Sequence, residues 1–249
     1  MRRLRHPRSA PLLAVLAALA IGVASSPVAA GSLEGLAGWE GGDLRQGYGF
    51  VGIGALQPMG ARLTLVTRLS ASYLYYTFES SDLSTSVISP GVTGMTGLRV
   101  SLAKGSFAVL GGYESRWEER RRGVGTDERS LTGGGVVQAD ADQGLGRRWR
   151  GFLFVNYAGA ARYLFGRLAV RWQATNLYWK DPLTSFLGLE GIRQGNNESA
   201  ALQSGPFLEW TFVPQRLSVT LHAGYKDSWS PDGPHRRGAY GGLSVYHRF

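Results

Sequence analysis

Between Arg62 and Tyr76 the chain alternates. Leu63, Leu65, Thr67, Leu69, Ala71, Tyr73 and Tyr75 fall in one register, and Arg62, Thr64, Val66, Arg68, Ser70 and Ser72 fall in the other. A strand sends alternate side chains to opposite faces, so this segment has one apolar face and one face with two arginines. It runs for about fifteen residues, against a usual ~5–6. That length suits a membrane barrel wall better than a sandwich strand. The pattern recurs. Leu217, Val219, Leu221, Ala223 and Tyr225 oppose Arg216, Ser218, Thr220, His222 and Lys226. Leu164, Leu168, Val170 and Trp172 oppose Tyr163, Arg167, Arg171 and Gln173, while Phe107, Val109, Tyr113 and Trp117 oppose Glu114, Arg116 and Glu118.

The apolar register is expected to meet lipid, where a charge at the midplane costs ~2–4 kcal/mol. The charged register then lines the interior. The pattern predicts an all-β, up-and-down antiparallel transmembrane β-barrel of about twelve strands, an even count as bacterial barrels require. The strands are expected near 33–41, 46–57, 61–79, 89–103, 106–119, 130–140, 149–159, 163–174, 184–193, 199–213, 215–228 and 236–249. Tight turns at 57–60, 103–105 and 214–215 and longer loops at 79–90, 119–130 and 227–237 fit short periplasmic turns and longer outer loops, with both termini in the periplasm. The stretch 175–184 is too long for that rule. Trp149, Trp172, Trp210, Phe212 and Phe249 are expected in a periplasmic aromatic girdle, and Tyr48, Tyr73, Tyr75, Tyr113, Trp117, Tyr157 and Tyr225 in an outer one.

The N-terminus is of another kind. Arg2, Arg3, Arg5 and Arg8 precede an apolar run, Leu12 to Ala24, and Val28-Ala29-Ala30 supplies small residues for cleavage. Residues 1–30 read as a secretory signal peptide, and residues 31–249 as one barrel domain. The apolar run is shorter than the ~20 residues a spanning helix needs. Without those four arginines the formal charge falls from +9 to +5. The remaining excess is mild, and Arg120-Arg121-Arg122 follows Glu118 and Glu119, which suggests a solvated loop and no nucleic-acid partner. The chain has no cysteine, so backbone pairing and packing must hold an exported protein together.

Candidate chemistry is sparse. Arg62, Arg68, Arg99, Arg116, Arg150, Arg167 and Arg171 are expected to face Glu114, Glu118, Glu190 and Glu209 across the lumen, with His222 among them. Buried charges must be paired and hydrogen-bonded. Two arrangements fit: a salt-bridged plug, or a polar pore lining that contacts an oligosaccharide or anion. His222 shares a face with Ser218 and Thr220, so a Ser–His contact for a lipid-directed enzyme is conceivable, beside the simpler reading of an interior hydrogen-bonded histidine. Asp140 and Asp142 are too few for calcium. No catalytic residue, metal or cofactor is expected. Gly133-Gly134-Gly135 precedes no helix and reads as a place where a strand kinks.

The last strand, Leu243 to Phe249, ends on phenylalanine after alternating apolar residues. It resembles the terminal strand of bacterial outer-membrane barrels, which their assembly machinery recognises, although His247 stands where an apolar residue is usual. Trp39-Glu40-Gly41-Gly42 followed by Tyr48-Gly49-Phe50-Val51-Gly52-Ile53-Gly54 resembles the start of the bacterial cellulose biosynthesis protein BcsS family. Phe152–Trp172, with Tyr157, Tyr163 and Arg171, resembles a hairpin of that family. Phe186-Leu187-Gly188-Leu189-Glu190-Gly191 with Gln194-Gly195-Asn196-Asn197, and Gly238 to Ser244, are similar to later segments, with Leu189 where proline is usual. The resemblance implies a non-enzymatic outer-membrane barrel that assists cellulose biosynthesis, secretion or surface attachment, with outer-membrane lipid and cellulose or cellulose-export components as expected partners. A general porin and a lipid-directed barrel enzyme are the alternatives.

Overall fold

A computed structural model describes residues 31–42, 46–80, 83–122, 127–178, 182–230 and 235–249. The expected signal peptide lies outside them. The described chain forms twelve strands: β1 (Ser32–Gly41), β2 (Gln46–Pro58), β3 (Leu63–Ser80), β4 (Leu83–Leu102), β5 (Gly105–Arg122), β6 (Asp127–Gly144), β7 (Trp149–Ala158), β8 (Tyr163–Tyr178), β9 (Pro182–Gly195), β10 (Ala200–Phe212), β11 (Leu217–Trp229) and β12 (Arg236–Arg248). Each pairs antiparallel with its sequence neighbours, and β1 pairs with β12 to close the barrel. Closure runs from Glu34 opposite Arg248 to Gly41 opposite Gly241, and the Phe249 amide adds a bond to the Leu33 carbonyl at 2.8 Å. A closed barrel leaves no sheet edge around its girth, the condition for β-structure in lipid.

The expected long loops are mostly strand. β3 and β4 continue to Ser80 and from Leu83, and β5 and β6 to Arg122 and from Asp127. These strands pass the last β2–β3 pair, Gln46 with Tyr76, and the last β6–β7 pair, Val136 with Ala158. Beyond those points the outward register turns polar, with Arg121 and Arg129 exposed, while Glu114 and Arg116 stay buried inside. The apolar alternation therefore fades while the ladder continues. The stretch 175–184 behaves likewise at the opposite rim, where Tyr178 pairs with Pro182. Arg120 and Arg121 accordingly sit on β5 and not in a loop. Gly133–Gly135 does not break β6: all three residues pair with β5. A Cβ on Gly134 would lie 2.4 Å from the Ala160 amide nitrogen, so the glycine admits the β7–β8 turn against the strand.

The outward register is apolar as predicted. Leu168 and Leu189 are 62% and 69% exposed to the surroundings of the barrel. Leu168 pairs with Leu153 and Gly191, midway along β7 and β9. Leu168→Arg is expected to lower the unfolding free energy in lipid vesicles by ~2–4 kcal/mol, read from urea titrations. An unchanged midpoint would move this face out of the bilayer.

Tyr48 departs from its predicted place. It pairs with Glu40 and Leu74 and turns inward, not into the outer girdle. Glycines at 47, 49, 52 and 54 give β2 little polarity contrast, so its register is hard to read. The inward face also carries an apolar cluster of Leu56, Val66, Met95, Ala108, Leu110, Val136 and Ala158. Val66 and Leu110 are wholly shielded. The interior along β2 to β7 is packed, not open.

Candidate functional site: the filled lumen

Directly opposed residues share a face, so the registers carry Glu34, Arg68, Arg99, Glu114, Arg116, Arg167, Arg171, Glu190, Glu209 and His222 into the interior together. Arg62 alone departs from its expected place. It lies exposed in the β2–β3 turn, one residue before the strand begins.

Toward the rim where β1 begins and β12 ends, Arg68 donates to Glu34 Oε1 at 2.6 Å. Arg99 approaches the same carboxylate at 3.8 Å, and the Tyr246 hydroxyl donates to Oε2 at 3.2 Å. Glu34 has no solvent exposure, so these cations and the hydroxyl replace the water it loses. Beside it, Arg171 joins Glu209 and also donates to Asp142 Oδ2 at 2.7 Å. Arg150 holds the other oxygen of Asp142, donating through Nε at 2.8 Å. The Arg171 guanidinium lies over the Phe186 ring at 4.8 Å, a cation–π contact that offsets part of its desolvation.

The middle of the lumen is organised by Glu190 on β9. Its side chain is fully buried and meets Arg167 Nη2 at 2.6 Å. His222 Nδ1 and the Tyr240 hydroxyl both reach Oε1 at 2.9 Å. Arg167 is also sandwiched between Phe152 and Phe207, 5.6 Å from each ring centre. This set joins β7 to β12 through the barrel interior. His222 has its partner in Glu190, and Ser218 pairs instead with Thr211 at 3.0 Å. Among the described residues, the hydrogen bond of the His222 ring goes to Glu190 and not to Ser218.

At the opposite rim, Arg116 donates to Glu114 at 2.7 Å, to the Ser89 carbonyl at 2.7 Å and to Ser72 at 3.0 Å. Arg120 is held by Glu118 and by Glu198 Oε1, the latter at 2.7 Å. Tyr76 donates to Glu198 Oε2 at 3.1 Å. Glu198 lies in the β9–β10 turn, and β3 and β5 stand on the other side of the ring. The carboxylate therefore forms a bar across the mouth. Among the described residues, no three His, Cys, Asp or Glu side chains are grouped to hold a metal.

Sequence reasoning missed Glu34, Glu40, Asp142 and Glu198 as lumen acids. For Glu34 and Glu40 a signal existed: Leu33, Gly35, Ala37 and Trp39 alternate with Glu34, Leu36, Gly38 and Glu40. Glu198 carried none, because a turn residue has no register.

A family model described as "Cellulose biosynthesis protein BcsS" matches residues 37–249. No curated protein matches the chain. Among solved structures, the β domain of the Bordetella autotransporter BrkA is similar at TM-score 0.53 and 11% identity, covering 88% of this chain and 99% of that one. The translocator domain of the autotransporter NalP from Neisseria meningitidis gives TM-score 0.47 and 15% identity, over 96% of each chain. An outer membrane channel from Pseudomonas putida F1 gives 0.49 and 10%, over 89% and 97%. At such identities the likeness concerns the fold. The twelve-strand closed barrel, its apolar outer face and the family match agree: this chain belongs to the cellulose biosynthesis protein BcsS family and is a bacterial outer-membrane β-barrel associated with cellulose biosynthesis.

Proposed function

We propose that the protein is a non-enzymatic accessory of cellulose production that helps hold or hand on the polysaccharide at the cell surface, and that it does not conduct the polymer through its own lumen. The observation that carries this reading is the filled interior. Glu34 and Glu190 are fully buried among their partners, and Val66 and Leu110 are wholly shielded on the inward face. A glucan chain would have to displace all of these groups, and buried charges stripped of partners are costly. His222 is engaged by Glu190, which disfavours a hydrolytic role. Lipid surrounds the wall, and the terminal strand ending at Phe249 is the element offered to the barrel assembly machinery. Cellulose, or components that export it, is the partner of the outer rim.

Deleting the gene in a cellulose-producing host is expected to leave synthase activity in isolated membranes unchanged. Retention or crystallinity of the extracellular polymer is expected to change. Cellulose normal in amount, crystallinity and attachment would rule the reading out.

A further inference from the structure

The rim where β1 begins and β12 ends carries exposed charge of one sign. Each described turn there holds a cation: Arg62 between β2 and β3, Lys104 between β4 and β5, Arg147 and Arg148 between β6 and β7, and Arg216 between β10 and β11. Arg248 ends β12 beside Arg216, its amide donating to the Arg216 carbonyl at 3.0 Å. Among the described residues, no acid pairs with any of these side chains; Arg248 donates only to the Ser32 hydroxyl. Glu34, Asp142 and Glu209, toward the same rim, are held inside by Arg68, Arg150 and Arg171. The other rim is mixed: Arg121 and Arg129 share Glu119, while Arg237 and His235 share Asp227.

We propose that this ring of cations is a binding surface for the phosphates of anionic phospholipids. Short turns face the periplasm in barrels of this class, which places the lipid in the periplasmic leaflet. Two observations select lipid over a soluble acidic partner. The cations are spread around the barrel, as the surrounding lipid is, and are not gathered on one patch. Exposed apolar side chains aimed outward accompany them. Leu102 ends the outward register of Leu98 and Val100, two residues before Lys104. Leu145 and Trp149 bracket Arg147 and Arg148, and Leu145 lies over the outward face, where a Cβ on Gly151 would meet it at 3.3 Å. Phe249 follows Arg248 and covers Gly35. The acyl boundary takes such apolar groups while the phosphates beside it meet the cations. Long basic side chains reach a headgroup with their stems laid along apolar surface. Main-chain bonds set the turns: the Ser101, Gly144 and Gln173 amides donate to the Arg62, Lys104 and Arg148 carbonyls at 2.8 Å each. The frame therefore survives loss of the side-chain charges.

The test uses the full barrel in phosphatidylcholine vesicles with a trace of spin-labelled lipid. Electron spin resonance reads the fraction of label slowed at the protein surface. A basic side chain near an anionic membrane surface contributes about fivefold to association. Averaged over both leaflets, labelled phosphatidylglycerol is expected to associate about twofold more tightly than labelled phosphatidylcholine. Concentrated sodium chloride is expected to remove the preference, because exposed charges are screened. The triple variant Lys104→Gln, Arg147→Gln, Arg148→Gln, checked for the folded band on unheated gels, is expected to lose about half of it. Arg129→Gln at the other rim is expected to keep it whole. Equal association of the two lipids with the wild type would overturn the proposal. So would a preference that the triple variant retains in full, or that Arg129→Gln lowers as much. Soluble polyglutamate or inorganic phosphate that abolishes the preference at constant ionic strength would assign the cations to an acidic protein or a free anion, and the lipid reading would fall. None of these readouts involves cellulose, so this proposal and the function proposed above fail separately.

Discussion

Glu190→Leu is expected to cost ~3–5 kcal/mol of unfolding free energy, measured by urea titration of the barrel refolded in lipid vesicles. The carboxylate gathers Arg167, His222 and Tyr240, and none of these has a ready substitute. Arg167 would keep its place between Phe152 and Phe207, but ring faces return only ~0.5–2 kcal/mol to a cation. Against a domain's total of ~5–15 kcal/mol, the loss is large. The substitution removes a buried charge as well as a contact, so the control is the pair Glu190→Leu with Arg167→Met. An apolar pair of similar volume is often neutral where a broken ion pair is not. The double variant is therefore expected to recover most of the loss. If Glu190→Leu alone matches the wild type, the network contributes no net stability.

The purified barrel in planar bilayers is expected to show no steady conductance. A continuous water path would have to pass the shielded Val66 and Leu110, the Glu190 cluster and the Arg171–Glu209–Asp142 group. These obstacles stand at different heights. Loss of one should yield at most brief openings. A stable open level from single wild-type barrels would overturn the plug and with it the reading that cellulose does not travel through this lumen.

The fold was largely written in the alternation. Leu217, Val219, Leu221 and Ala223 face lipid because Ser218, Thr220 and His222 separate them, whereas between Phe107 and Trp117 the inward Ala108 and Leu110 blur a contrast that Glu114 and Arg116 restore. Their registers follow from a period of two. Glycine-rich β2 was less legible, and Tyr48 was misplaced for that reason. Arg62 was drawn into the lumen by extending the β3 period one residue past the strand's start at Leu63. The end of β3 was legible, but the start of β4, the end of β5 and the start of β6 were not, because strands outside the bilayer lose the lipid-facing constraint that makes them visible. Of the candidate site, the sequence could name most of the cations and only some of their partners. A face can be assigned from one strand. A pairing such as Arg68 with Glu34, or Glu198 with Tyr76, depends on which strands lie across the ring, and no single strand carries that information.

The closure seam bears on assembly. Glu34 lies on the first strand, and its ion-pair partner Arg68 is only two strands away, while Tyr246 comes from the last. The Arg68 pair needs only β1, β2 and β3 side by side, whereas the Tyr246 bond needs β12 against β1. The same buried carboxylate thus takes one partner from near in the chain and one from its far end. The Tyr246 bond exists only in a closed ring, so its loss would mark the opening of the β1–β12 seam while the Arg68 pair persists.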